Sequence, residues 1–151
     1  MESNRKLIAA VASLLMSGAA AAGDNHSVTV NATVNGTCKF NAASSTVNLT
    51  LDPTASSTAT QGASVLYRCT KGTAPSFALA SGSTGSTTGG NLVNGAESIA
   101  YTFSSTSGGA GAGMGTGNDK TLALSVSVNQ ANAANVTPAV YTDSIAITLT
   151  P

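Results

Sequence analysis

The sequence predicts an all-β protein folded as an antiparallel sandwich, and three observations predict it. Short segments alternate apolar and polar residues with a period of two, the pattern of a strand with one buried and one wet face. Clusters of Gly, Ser, Asn, Asp and Pro separate those segments as turns. From Gly23 onward no stretch keeps helical periodicity over three turns. Six or seven strands spaced in this way pack as two antiparallel sheets.

The first residues read as a targeting signal. Arg5 and Lys6 supply a charged start, residues 7–16 are an apolar run too short to span a bilayer, and Ala20, Ala21 and Ala22 form a small-residue cleavage site. Cleavage after Ala22 is expected, giving residues 1–22 as signal peptide and a mature start at Gly23. The remaining ~130 residues suit one domain.

Residues 26–34, His-Ser-Val-Thr-Val-Asn-Ala-Thr-Val, carry the cleanest alternation of the chain. Val28, Val30, Ala32 and Val34 share one face, and Ser27, Thr29, Asn31 and Thr33 the other. An apolar strand beside a mature N-terminus needs a sheet to join, which is either its own or a neighbour's. Further along, residues 46–51 set Val47, Leu49 and Leu51 inward before the Asp52-Pro53 stop. A Ser/Thr/Ala loop is expected over 54–62. A strand over 63–69 has Val65, Tyr67 and Cys69 on one face, and Lys71-Gly72-Thr73 turns the chain. Residues 75–80 are a short strand with Phe77 and Leu79 together. Residues 81–90 have the composition of a flexible loop. Residues 97–104 align Ile99, Tyr101 and Phe103, and a second Gly-rich loop follows over 105–117. Residues 121–129 alternate strictly through Leu122, Leu124, Val126 and Val128. After a polar linker over 130–138, the last strand, 141–149, carries Ile145, Ile147 and Leu149. Tyr67, Phe77, Tyr101 and Phe103 are expected in the core rather than on a sugar-binding platform. Asp143 is expected to start a strand rather than to catalyse.

Two cysteines, Cys38 and Cys69, lie in the exported part. An even count in an oxidising compartment reads as one disulfide. Metal binding is not expected, since no Cys-x-x-Cys spacing exists and the single histidine, His26, lies near the mature terminus. Lys39, Arg68, Lys71 and Lys120 stand against Asp24, Asp52, Glu97, Asp119 and Asp143. That unclustered balance argues against nucleic acid and against an anionic membrane surface as partners. No acid–base pair, Ser-His-Asp set or phosphate-binding glycine loop is present, so the reading is of a protein that is not an enzyme and needs no cofactor.

Two stretches carry a family resemblance. Arg68-Cys69-Thr70-Lys71-Gly72-Thr73 running into Pro75-Ser76-Phe77-Ala78-Leu79 resembles the Cys-Thr-x-Gly-Thr signature and following strand of the spore-coat-U family. Val140-Tyr141-Thr142-Asp143-Ser144-Ile145-Ala146-Ile147-Thr148-Leu149 resembles that family's closing strand. A first cysteine after an alternating N-terminal strand matches as well. The chain departs from the pattern at two places: Pro151 stands where an aromatic usually follows the final Leu-Thr, and Ala139 and Val140 replace the usual Gly before the closing Tyr.

The family comprises pilins of archaic chaperone–usher pili. The resemblance therefore implies an incomplete immunoglobulin-like sandwich over 37–151, preceded by an N-terminal donor-strand segment over 23–36. Val28, Val30, Ala32 and Val34 would fill pockets in the groove of the next subunit. Implied partners are further copies of the same subunit, with a periplasmic chaperone and an outer-membrane usher during assembly. The implied location is a cell-surface pilus reached through the periplasm, with a role in adhesion and biofilm formation. The other function class consistent with the residues is a soluble exported sandwich that binds a carbohydrate or surface ligand.

Overall fold

The computed structural model describes residues 23–151, so the expected signal peptide lies outside the described residues. The chain divides into two units, Met1–Thr33 and Val34–Pro151. In the first, the described residues 23–33 belong to no strand and are exposed, Val28 at 76% and Val30 at 86%.

The second unit is all-β, as expected. Its strands are β1 (Cys38–Phe40), β2 (Thr58–Cys69), β3 (Ser76–Ser81), β4 (Gly89–Asn94), β5 (Glu97–Ser107), β6 (Lys120–Asn129) and β7 (Ile145–Thr150), with one 3-10 turn, Gln130–Ala133, after β6. They form a five-stranded sheet in the order β1-β2-β6-β5-β4 and a two-stranded sheet, β3-β7, with every pairing antiparallel. Period-2 alternation turns Tyr67 and Cys69 of β2, Ile99, Tyr101 and Phe103 of β5, and Leu122, Leu124, Val126 and Val128 of β6 inward, where all are buried. Tyr67 meets Phe77 edge-on at 5.0 Å between ring centroids, so these aromatics are core.

Cys38 and Cys69 are register partners in the β1–β2 ladder, and they form the expected disulfide. It closes a loop across 31 positions, stabilising the fold by about 3–4 kcal/mol in the chain-entropy model. Cys38→Ser is therefore expected to cut the yield of folded protein sharply and to lower its melting temperature. Normal yield and normal melting would contradict this role.

Five expectations are corrected. Residues 46–51 alternate in burial as expected, with Val47, Leu49 and Leu51 packed on the core, yet they join no sheet among the described residues. Alternation reports which face is buried and says nothing about whether a neighbour pairs the backbone. The loop expected over 54–62 becomes strand from Thr58, because Thr58 to Gly62 continue the β2–β6 ladder opposite Asn129 to Ser125. The Gly-rich stretch read as flexible ends in a strand that was missed, β4, whose hairpin to β5 turns at Gly95 with φ +62°. The closing strand starts later than expected. Thr142 bridges Val93 of β4, and only from Ile145 does the chain pair with β3, so residues 141–144 carry it from one sheet to the other.

The Gly-rich loop expected over 105–117 begins only after Ser107, because Ser105 to Ser107 continue β5 opposite Leu124 to Leu122, and it is tied by backbone bonds that composition does not reveal. Gly72 N donates to Gly111 O at 2.9 Å, Gly111 N to Thr73 O at 2.8 Å, and Gly113 N to Cys69 O at 3.1 Å. A side chain at Gly111 would lie 2.4 Å from Cys69 O, so the close approach over the disulfide requires glycine.

Candidate functional site: an open apolar groove

The two halves of the sandwich do not close on each other along their whole length. β1 pairs with only three residues of β2, and the last bond on that side is Asn41 N to Leu66 O at 2.9 Å. From there down to Thr58, β2 has β6 on one side and, among the described residues, no strand on the other. β7 likewise has β3 on one side only. Between these edges lies a groove of about 1100 Å³. Its floor is Ala63, Val65, Ile99, Leu124 and Val126, and its walls include Val47, Leu49 and Leu51 on one side and Ile145 and Ile147 on the other.

Burial along β7 measures how incomplete the core is. Ile145, Ile147 and Leu149 all point inward, and none is buried. A finished sandwich covers such residues, each of which gains roughly 1.5–3 kcal/mol on full burial. The core is closed at the disulfide end, where Tyr67, Cys69 and Leu122 are 0–1% exposed, and open along the groove.

Residues 42–51 form the groove's other wall. Asn41 anchors their start through its amide, which donates to Asp119, itself ion-paired with Arg68. Asp52 anchors their end: its N donates to Gln130 Oε1 at 2.8 Å, and its carboxylate accepts from Thr54 N at 2.9 Å. Between the anchors the chain bends at residues 42 and 43 and then runs on outside any strand, and among the described residues no sheet neighbour satisfies its backbone.

Two carboxylates hold the segment that brings the chain into β7. Asp143 Oδ2 accepts from Ser81 Oγ at 2.7 Å, Ser83 Oγ at 2.7 Å and Tyr101 OH at 2.8 Å, while Oδ1 accepts from Ser144 N at 2.8 Å. Desolvation pushes this carboxyl up, but the four hydrogen bonds outweigh it and hold it at about 2. The Tyr101 hydroxyl is pushed up to about 12, by burial first and then by its bond to Asp143. Glycine is required beside this knot, since a Cβ at Gly90 would lie 2.1 Å from Ser81 Oγ. Glu97 Oε2, at the start of β5, accepts from Thr137 N at 3.0 Å, Thr137 Oγ1 at 2.5 Å and Tyr141 OH at 2.5 Å. The Thr137 and Tyr141 bonds hold the Glu97 carboxyl below its ordinary value.

Cys38 and Cys69 are brought together, whereas the four residues expected to fill pockets are exposed. Val34 is 81% exposed, and Val28, Val30 and Ala32 belong to no strand. Sequence reasoning missed Glu97 and the partners of Asp143, because the bonds join residues 40 to 62 positions apart. Among the described residues, no three His, Cys, Asp or Glu side chains cluster as metal ligands would, and no helix is long and apolar enough to cross a membrane.

The family model of the Spore Coat Protein U domain matches residues 24–148. Neither the curated proteins nor the solved structures gave a significant match.

Proposed function

Since this chain belongs to the Spore Coat Protein U domain family, which is associated with chaperone–usher pilus subunits, we propose that it is a structural pilus subunit that polymerises by strand donation. The observation that carries the reading is one pairing of features. A groove with apolar walls lies between two unpaired sheet edges, and the same chain has an exposed segment with the alternation a strand needs to fill it.

Strand addition satisfies both needs of the groove. The donor's backbone pairs the open edges, and its alternate side chains enter the apolar floor. In this reading Val28, Val30, Ala32 and Val34 of one copy insert beside β7 and residues 46–51 of the next. Three valines at up to roughly 1.5–3 kcal/mol each contribute several kcal/mol before the backbone bonds are counted. Such a junction dissociates slowly, as a fibre under load requires. A chaperone that fills the groove before assembly, an outer-membrane usher, export directed by residues 1–22, and roles in adhesion and biofilm formation follow from the same reading. No catalytic step and no cofactor enter it.

The test is complementation in trans. A chain beginning at Thr37 keeps the groove and lacks the donor, and it is expected to be poorly soluble alone. A synthetic peptide of residues 27–34 should restore a soluble monomer. A truncated chain that stays soluble and indifferent to the peptide would contradict the proposal.

A further inference from the structure

We propose that Glu97 is a positioning residue for the groove, holding the rim segment 137–144 in the form that accepts a strand. This inference rests on the reading of the groove as a strand acceptor.

Of the rim's hydrophobic side chains only Tyr141 packs on the core, and it is half-buried. Pro138, Ala139 and Val140 line the groove and are exposed, Val140 at 82%. None of residues 137–144 is buried, and the buried core of this region is built instead from β5, β6 and Ala133. What fixes the first half of the rim is a ring of hydrogen bonds closed on one oxygen. Glu97 Oε2 takes the backbone N–H and hydroxyl of Thr137 and the hydroxyl of Tyr141, whose single proton faces both this carboxylate and Thr137 O, 2.9 Å away. The five-residue turn is thereby pinned at both ends to the start of β5. The Thr142–Val93 bridge and the Asp143 knot then carry the chain into β7.

The consequence is preorganisation. A rim left free must be ordered each time a strand docks, and the apparent affinity falls by the fraction of time the rim is competent. The ladders of β2, β6, β5 and β4 do not run through residues 137–141, so the body of the fold does not depend on the latch. Glu97 thus acts on strand acceptance and leaves the sheet largely as it is.

The experiment uses the full mature chain carrying Val30→Asp, which cannot donate its own strand, refolded by dilution from denaturant directly into a series of concentrations of a fluorescein-labelled peptide of residues 27–34, since the open groove is poorly soluble without it. Peptide affinity is read by anisotropy, and hydrogen exchange reports the β5 and β6 amides. Glu97→Ala is expected to weaken the peptide about tenfold with β5 and β6 protection unchanged, as for a rim competent about a tenth of the time. Glu97→Gln, which keeps an acceptor oxygen for Thr137 and Tyr141, should restore most of the affinity. Unchanged affinity in Glu97→Ala overturns the assignment. So does a loss of affinity matched by lost β5 and β6 protection, which marks a merely structural role. Failure of the peptide to bind when Glu97 is intact overturns the acceptor reading itself.

Discussion

Val30→Asp is expected to abolish the polymer ladder and the surface filaments, while Thr29→Asp leaves both largely in place. The two positions are neighbours on opposite faces of the alternating segment. Register decides which set enters the groove, and a slip of one residue would present the polar set. The floor that meets the inserted face is Val65, Ile99, Leu124 and Val126. An unpaired carboxylate there costs several kcal/mol, comparable to the whole gain from the three valines. At Thr29 the same charge lies on the face away from the floor. Both variants should fold and be exported, because residues 27–33 contribute to no strand of the domain. Heat-resistant ladders on gels, and filaments counted on cells, read the result. Equal assembly by the two variants would remove the physical basis of strand donation.

Asp143→Ala is expected to destabilise the domain itself about as much as loss of the disulfide. Removing the carboxylate takes the acceptor from Ser81, which is 2% exposed, and from Tyr101, which is 5% exposed. Each buried hydroxyl left without its partner costs about 1–3 kcal/mol, so a loss of about 2–6 kcal/mol is expected, read as a melting temperature lower by roughly 10–20 °C. Acid should show the same group from the other side. The folded carboxyl sits at about 2, below its ordinary 3.8. A depressed carboxyl contributes stability that is complete above the unfolded value and lost as pH falls through the folded one. The wild-type chain should therefore lose more stability between pH 4 and about 2 than Asp143→Asn does. Identical acid slopes would show that the knot adds nothing.

Much of the fold was legible because it rests on local pattern. The alternation of Leu122, Leu124, Val126 and Val128 needed no partner to be read, and it gave β6 and its buried face. The same holds for Ile99, Tyr101 and Phe103 on β5. The cysteine count gave the disulfide. Where the reading fell short, the deciding interaction was distant. β4 opens with Gly89 and Gly90, which composition assigns to a loop, and only their close approach to Tyr101 O and Ser81 Oγ explains why glycine stands in a strand. Asp143 was read as starting a strand, and it does precede β7, but its three hydroxyl partners lie on β3, the turn after it, and β5. Residues 46–51 misled in an instructive way. Their alternation was real and their burial followed it, yet among the described residues no strand lies beside them. A strand-like segment without a neighbour, facing β7 with its own free edge, is what a sandwich lacking one strand leaves behind.

The central claim is that residues 27–34 of one copy complete the sandwich of the next. The most direct measurement is a density reconstruction of purified filaments that resolves the junction between subunits. The account predicts a strand of residues 27–34 from the neighbouring copy between β7 and residues 46–51, with Val28, Val30, Ala32 and Val34 facing Leu124 and Val126. Density that leaves the groove empty, or that fills it with residues 27–34 of the same copy, would contradict it.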